Sequence, residues 1–443
     1  MKTRNVVTLA LALSLPVACD DKPTSGAPPG RASASTSAVA PAPTAASSAA
    51  ASSAPTLADA QAIARSTLIV DGHVDLPYRL KGQEKKKGAI EDDVGRRLTE
   101  GNFDYVRAKE GGLDAPFMSI YVPAEHQKEG GAKALADELI DMVEGIEKQH
   151  PDKFAVARSV ADVRAAFAAG KVALPLGIEN GAAIEGSLDY LRHFGERGVR
   201  YITLTHSEDN DICDSSYAET KTHKGLSDFG RKVVTEMNRV GIMIDVSHIS
   251  DDAFWQVMKL TKTPVIASHS SCRHFTPGFE RNMSDDMIRA MKKNGGVVMI
   301  NYGSSFIDEE ARKTRTAMWM ARKAFMKESG IEDRDDPKVE AWDEEYKKTH
   351  ELPLAKVAQV ADHILHVIEV AGIDHVGLGS DFDGVGDSLP EGLRDASQLP
   401  NLVLELLKRG LTKEQIAKIG SGNVLRVWSA VERHGAEARS SAD

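Results

Sequence analysis

Leu68-Ile69-Val70-Asp71-Gly72-His73-Val74-Asp75 is a short apolar run that closes on two side chains able to bind a metal. Read as a buried strand, it aims His73 and Asp75 to one side, because residues two apart on a strand face the same way. An imidazole and a carboxylate would then meet just beyond the strand's end. Alone, a His-x-Asp of this kind reads more simply as a strand running into a polar turn. Its weight comes from further apolar runs downstream that finish in the same manner.

Those strand-like runs fall at 67–74, 116–122, 172–178, 200–205, 242–247, 264–268, 296–301 and 375–380. Amphipathic stretches at 132–149, 187–197, 227–240, 251–261, 284–294 and 355–371 separate most of them. Apolar runs this continuous suit strands covered on both faces, as in a parallel sheet. Eight such strands alternating with helices predict an α/β fold, a (β/α)8 TIM barrel, with an open doubly wound sheet as the rival. Two charged excursions interrupt the pattern, at 81–112 and 307–352, the second with a helix expected around Asp308–Glu328. Both read as solvated insertions, and either could cover an active-site mouth or form a subunit contact.

The N-terminal region has a different character. Lys2 and Arg4 precede an apolar run from Val6 to Leu15, which is too short to span a bilayer, and Pro16-Val17-Ala18-Cys19 follows. Residues 1–19 therefore read as a signal peptide of lipoprotein type, with Cys19 as the lipid-bearing residue and ordinary signal-peptidase cleavage as the alternative. Residues 20–56 are almost wholly Ala, Ser, Pro, Thr and Gly, a composition that cannot bury enough apolar surface to fold and reads as a tether. Residues 57–443 form the single globular domain. The expectation is an exported, membrane-anchored bacterial lipoprotein facing the periplasm or the cell exterior. A net charge of −10 with no basic block argues against nucleic acid as a partner. Beyond Cys19 only Cys213 and Cys272 remain, so disulfides do not hold the fold, and whether these two pair is open.

In a barrel the carboxyl ends of all strands converge on one face, where active sites form. The strand at 172–178 ends in Glu179, and those at 200–205, 242–247 and 264–268 run into His206, His248 and His269. The last strand runs into Asp381 and Asp383. Each has a plain structural alternative, such as a cap, a turn former or an ion pair. Four histidines and four carboxylates at six strand ends point instead to a metal-centred hydrolytic site. A carboxylate between two histidine-containing halves can bridge two ions that share a hydroxide. His73, Asp75 and Glu179 would hold one ion, and Glu179, His248 and His269 the other. Such nitrogen and oxygen ligation suits two Zn2+, with Mn2+ or Co2+ as substitutes.

Asp71-Gly72-His73-Val74-Asp75, Gly177-Ile178-Glu179, Thr205-His206-Ser207, Ile244-Asp245-Val246-Ser247-His248 and Ala267-Ser268-His269-Ser270 together resemble the membrane (renal) dipeptidase family. Arg281-Asn282 and Gly379-Ser380-Asp381-Phe382-Asp383-Gly384 extend the likeness, which runs in order from about residue 66 to Trp428. The resemblance implies an amidohydrolase-like barrel with two zinc ions on the five ligands above and Glu179 bridging. It implies His206 at the substrate carbonyl, Arg281 at the terminal carboxylate with Asn282 also binding substrate, and Asp381 moving the proton. Members cleave dipeptides, often with a D-residue on the carboxyl side. The chain departs from the family pattern at Asn180-Gly181-Ala182, where many relatives have Gly-Gly-His. Hydrolysis of an N-acyl-amino acid, lactone or β-lactam is the nearest alternative, and a non-catalytic peptide- or metal-binding lipoprotein the more distant one. A homodimer is left open.

Overall fold

The computed structural model describes residues 54–331 and 336–441. The expected signal peptide and almost all of the expected tether lie outside the described residues. The globular body opens with the helix Leu57–Ser66, whose Thr56 and Asp59 form a reciprocal capping box. Among the described residues, no helix is long and apolar enough to cross a membrane.

Among the described residues nine parallel strands follow in chain order: β1 Val70–Val74, β2 Ala115–Tyr121, β3 Phe154–Ala157, β4 Val172–Glu179, β5 Val199–Thr203, β6 Met243–Asp245, β7 Ile266–Ala267, β8 Val297–Ile300 and β9 Val376–Leu378. Pairing runs β2-β1-β9-β8-β7-β6-β5-β4, and β2 also pairs with β4, which closes eight strands into a ring. The fold is a (β/α)8 barrel.

The strand the sequence reading missed is β3. It pairs with the first half of β4 (Phe154 against Val172), while β2 pairs with the second half (Met118 against Leu176). Thus β3 sits on the β5 side of β4, ahead of Leu176 where the β5 pairing begins, while on the other side the Ala173 amide already donates to the Asp114 carbonyl before β2. Four residues directly after a long helix carry too little periodicity to be seen in isolation. The expected helices recur nearly end for end, from Ala132–Gln149 to Val357–Ala371. The excursion at 81–112 is more regular than expected: the helix Leu76–Lys87 runs into it, and Tyr105–Gly111 forms another.

Side chains alternate along the strands, and the two sets pack into separate cores. Val70, Phe117, Ala173, Tyr201, Met243, Ile266, Val297 and Met299 form the smaller cluster, which fills the barrel. Trp428, on the C-terminal helix Asn423–Ser440, joins it from the amino end of the strands, 5.3 Å from the Phe117 ring. Their sequence neighbours Ile202, Ile244, Ala267, Val298 and Ile300 belong to the larger core under the outer helices. Continuing the inward parity on β4, β5, β6, β7 and β8 brings Glu179, Thr203, Asp245, Ser268 and Asn301 to the carboxyl end. All five are buried, so the interior passes there from apolar to polar.

The second insertion is a pair of helices, Glu309–Ser329 and Pro337–Thr349, with Trp342 stacked on Phe325. Arg315 and Lys347 both pair with Asp387, which ties the insertion to the loop after β9.

Candidate metal centre

At the carboxyl end of the barrel the structure brings His73, Asp75, Glu179, His206, His248, His269 and Asp381 together. Glu179 stands in the middle. Its Oε2 lies 3.3 Å from His73 Nε2, and its Oε1 lies 3.1 Å from His248 Nε2 and 3.3 Å from His269 Nε2. Each carboxylate oxygen therefore faces a different set of imidazoles. Asp75 Oδ2 approaches His73 Nε2 at 3.3 Å from the other side. His206 stands farthest, its Nε2 3.6 Å from Glu179 Oε1, with the Tyr121 ring edge-on against it.

The supports behind two of the imidazoles set their tautomers. Tyr201 donates to the Gly72 carbonyl (3.0 Å), so its oxygen accepts from His73 Nδ1 (2.9 Å), leaving Nε2 as the nitrogen that faces Glu179. Gly177 makes this possible, since a Cβ there would lie 2.0 Å from the Tyr201 ring. On the far side Ser268 donates to Asp245 Oδ2 (2.6 Å) and accepts from His269 Nδ1 (2.7 Å). Asp245 is held in turn by Thr203 Oγ1 and the Ser247 and Ser268 amides. Partners of this kind orient metal-binding histidines and raise their basicity.

These residues fit divalent cations. Burial works against a proton on His73, but Tyr201 and the Asp75 and Glu179 carboxylates outweigh it and push its pKa well up, so the pocket draws positive charge. Burial also opposes charge on Glu179, yet the surrounding imidazoles hold its carboxyl well below the usual range. Burial pushes His248 and His269 well down, which leaves neutral rings with lone pairs, and their Nε2 atoms face each other at 2.8 Å. His73 Nε2 is buried without a hydrogen-bond partner. Ligand atoms of His73, Glu179 and His269 fall within reach of one ion, as do those of Glu179, His206 and His248, and of His73, Asp75 and Asp381.

Asp381 lies beyond the end of β9 in left-handed backbone (φ 62°) and accepts from Asn301 Nδ2 at 2.7 Å. Burial, with the Asp75 charge next, pushes its carboxyl up to about 8. Gly384 leaves room for both acids, since a Cβ there would lie 2.2 Å from Asp381 Oδ1 and from Asp75 Oδ2. Asp383 turns away: it is buried against Arg79 (3.2 Å) and caps the Asn102 amide (2.5 Å).

Arg281 is 3% exposed. Its guanidinium donates to Ser270 Oγ (2.7 Å) and the His269 carbonyl (2.9 Å) and lies over the Phe306 ring, and its Nε has no partner. Among the described residues no carboxylate pairs with it. Asn282 is engaged elsewhere: its amide donates to Thr276 and the Phe306 carbonyl and accepts from the Ser271 amide. Asn180, the departure from the family pattern, is also spent internally, on the Val122 carbonyl, Gln127 and Asn210. Cys213 and Cys272 are both buried free thiols.

Sequence reading overlooked four supporting residues. Asp71, which accepts from the His73 and Ser380 amides (both 2.9 Å), and Asp245 each interrupt an apolar strand, and an acid inside such a run is a visible sign of an internal hydrogen-bond role. Asn301 follows β8 where other strand ends carry the candidate ligands. Tyr201 left no comparable sign, because a tyrosine on a strand ordinarily reads as core.

A family model described as membrane dipeptidase (peptidase family M19) matches residues 57–442. Among solved structures, a probable dipeptidase PvdM from Pseudomonas aeruginosa is 26% identical, with 85% of this chain and 98% of that chain covered and a TM-score of 0.71. A dipeptidase designated AC, a metallopeptidase of family M19, is 25% identical over 82% of this chain and 98% of its own, with a TM-score of 0.65. A metallopeptidase from Rhodobacter sphaeroides, liganded with a phosphinate mimic of the dipeptide L-Ala-D-Ala, shares the fold at 24% identity. That match covers 82% of this chain and 99% of the other, with a TM-score of 0.65.

Proposed function

The chain belongs to the membrane dipeptidase family, peptidase family M19, and is a metal-dependent dipeptidase. From that premise we propose that it hydrolyses dipeptides, including those ending in a D-residue, on a binuclear zinc centre held by His73, Asp75, Glu179, His248 and His269. The observation that carries the reading is the division of Glu179, with Oε2 toward His73 and Oε1 toward His248 and His269. Two cations bound there would supply Lewis acidity and would lower the pKa of a water toward neutrality.

The chain's own groups do the rest. His206, whose pKa burial pushes down, is a neutral ring set to donate to the scissile carbonyl oxygen as charge builds on it. Such a donor contributes on the order of 3 kcal/mol in comparable sites. Asp381 accepts the proton given up by the attacking water and delivers it to the leaving amine, the Asn301 amide keeping its carboxylate aimed. Arg281 receives the terminal carboxylate, for which its planar fork is matched. Asn282 serves by fixing the loop that presents Arg281, since its amide is already committed.

Elemental analysis of the purified globular body, with a turnover screen of L,L and L,D dipeptides beside N-acyl-amino acids, tests the reading. Expected are at least two zinc ions per chain and dipeptide turnover that chelation abolishes. A single ion, or acylated amino acids as the better substrates, would refute it. Arg281→Ala should raise KM by ~10–100-fold for dipeptides with a free carboxylate and leave kcat nearly unchanged, the worth of one charge-assisted hydrogen bond. An equal effect on C-terminally amidated dipeptides would remove the clamp. The proposal extends to place: a lipid on Cys19 with the segment 20–56 as leash would hold this enzyme at a membrane surface. Labelled palmitate incorporation that Cys19→Ala abolishes is the expected result.

A further inference from the structure

A second group of metal-capable side chains lies away from the strand ends. It draws on three elements. His274 sits on the 3-10 turn Arg273–Phe275, Asp285 is the first residue of the helix Asp285–Asn294, and His366 lies on the helix Val357–Ala371. His366 Nε2 is 2.8 Å from Asp285 Oδ1, and the His274 and His366 rings are stacked with centroids 4.4 Å apart. One ligand atom from each of the three lies within 4.8 Å of the others. His274 makes only ring contacts, with Phe275 and His366, and no hydrogen bond among the described residues.

From this geometry we infer a second metal site, formed by His274, Asp285 and His366, that binds a borderline divalent ion, Zn2+ first. Two imidazoles and one carboxylate are a donor set for zinc, copper or nickel rather than for magnesium or calcium. His274 is exposed, so the remaining coordination positions open to water and its ring is free to swing edge-on toward the ion. The competing partner of Asp285 is weak, since Arg289 reaches its Oδ2 only at 4.0 Å. The backbone beneath is already placed. The Cys272 amide donates to His363 Nδ1 (3.0 Å) and His363 Nε2 donates to the Ile307 carbonyl (3.0 Å), so the turn rests on the helix that carries His366. Preplaced backbone lowers the cost of gathering ligands.

The turn belongs to the segment between His269 and Asp285, which also carries Arg281. Arg273, beside His274, braces that segment through Asp251 (2.7 and 2.6 Å) and the Asn282 carbonyl (2.7 Å). An ion on His274 would tie the same segment to the helix Val357–Ala371. The site stabilises the loop that positions the substrate clamp, and takes no part in turnover.

The test is a metal count on the holoenzyme dialysed against buffered free Zn2+, for the wild type, His274→Ala and Asp285→Asn. The exposed position of His274 makes its variant safe for folding. Expected is one ion fewer per chain in each variant, whatever the main centre holds, with dipeptide turnover retained. Added Zn2+ should also raise Tm in the wild type and not in the variants, because an ion bound only to the folded chain stabilises it by mass action. Equal counts in all three proteins would overturn the inference. So would a loss of ions in step with lost turnover, which would assign them to the main centre. The count difference does not depend on which substrate the enzyme prefers, so it stands apart from the fate of the proposed function.

Discussion

Glu179→Gln should leave the barrel folded and strip it of both metal and turnover. The substitution keeps the shape of the side chain and removes the charge that faces His73 on one oxygen and His248 and His269 on the other. Loss of an outer hydrogen bond to a ligand costs ~10–100-fold in metal affinity. Loss of a charge shared by both halves should cost more than that. Turnover should fall by ~10⁴-fold or more, the scale for removing one member of a set that acts as a unit. Elemental analysis and dipeptide kinetics check both, with the melting curve as the control for folding. Retention of a full complement of metal in Glu179→Gln would end the bridging assignment.

Asp381→Asn should produce the opposite split, with metal retained and kcat reduced by ~10²–10⁴-fold, the usual share of a positioned proton carrier. The distinction is needed because Asp381 also lies within ligand reach of His73 and Asp75. If the variant loses an ion along with activity, Asp381 is a ligand and the proton moves elsewhere. A carboxyl held beside the His73 and Asp75 ligand atoms and aimed by the Asn301 amide suits a carrier. KM should change little, because no substrate contact is assigned to it.

The barrel was legible because its strands are covered on both sides and therefore apolar without interruption. The run from Val172 into Glu179 and the run from Tyr201 to Thr205 could be read for type, and nearly for length. β3 escaped because it is a four-residue patch against half of β4, and nothing local distinguishes it. The candidate ligands could be gathered into one set because the barrel makes strand ends converge, and the structure brings the residues from His73 to His269 together there. What could not be read was the layer behind them. Tyr201 reaches His73 only because Gly177, on the neighbouring strand, leaves space for its ring. That fact is about two strands side by side and has no trace in either one alone. Asn282 shows the converse: a polar residue next to Arg281 reads as a substrate contact until its neighbours claim its amide.

His248, Asp381 and Asp383 all adopt left-handed backbone without being glycine, with φ of 70°, 62° and 67°. Aspartate and histidine enter this region more readily than most side chains, yet a non-glycine residue held so still costs about 1–3 kcal/mol. Selection for heat resistance alone would therefore favour glycine at 248, at the expense of the metal ligand proposed there. Only selection that keeps scoring peptide cleavage can hold an imidazole there, so drift toward hardiness and drift toward silence run along the same path at this corner of the molecule.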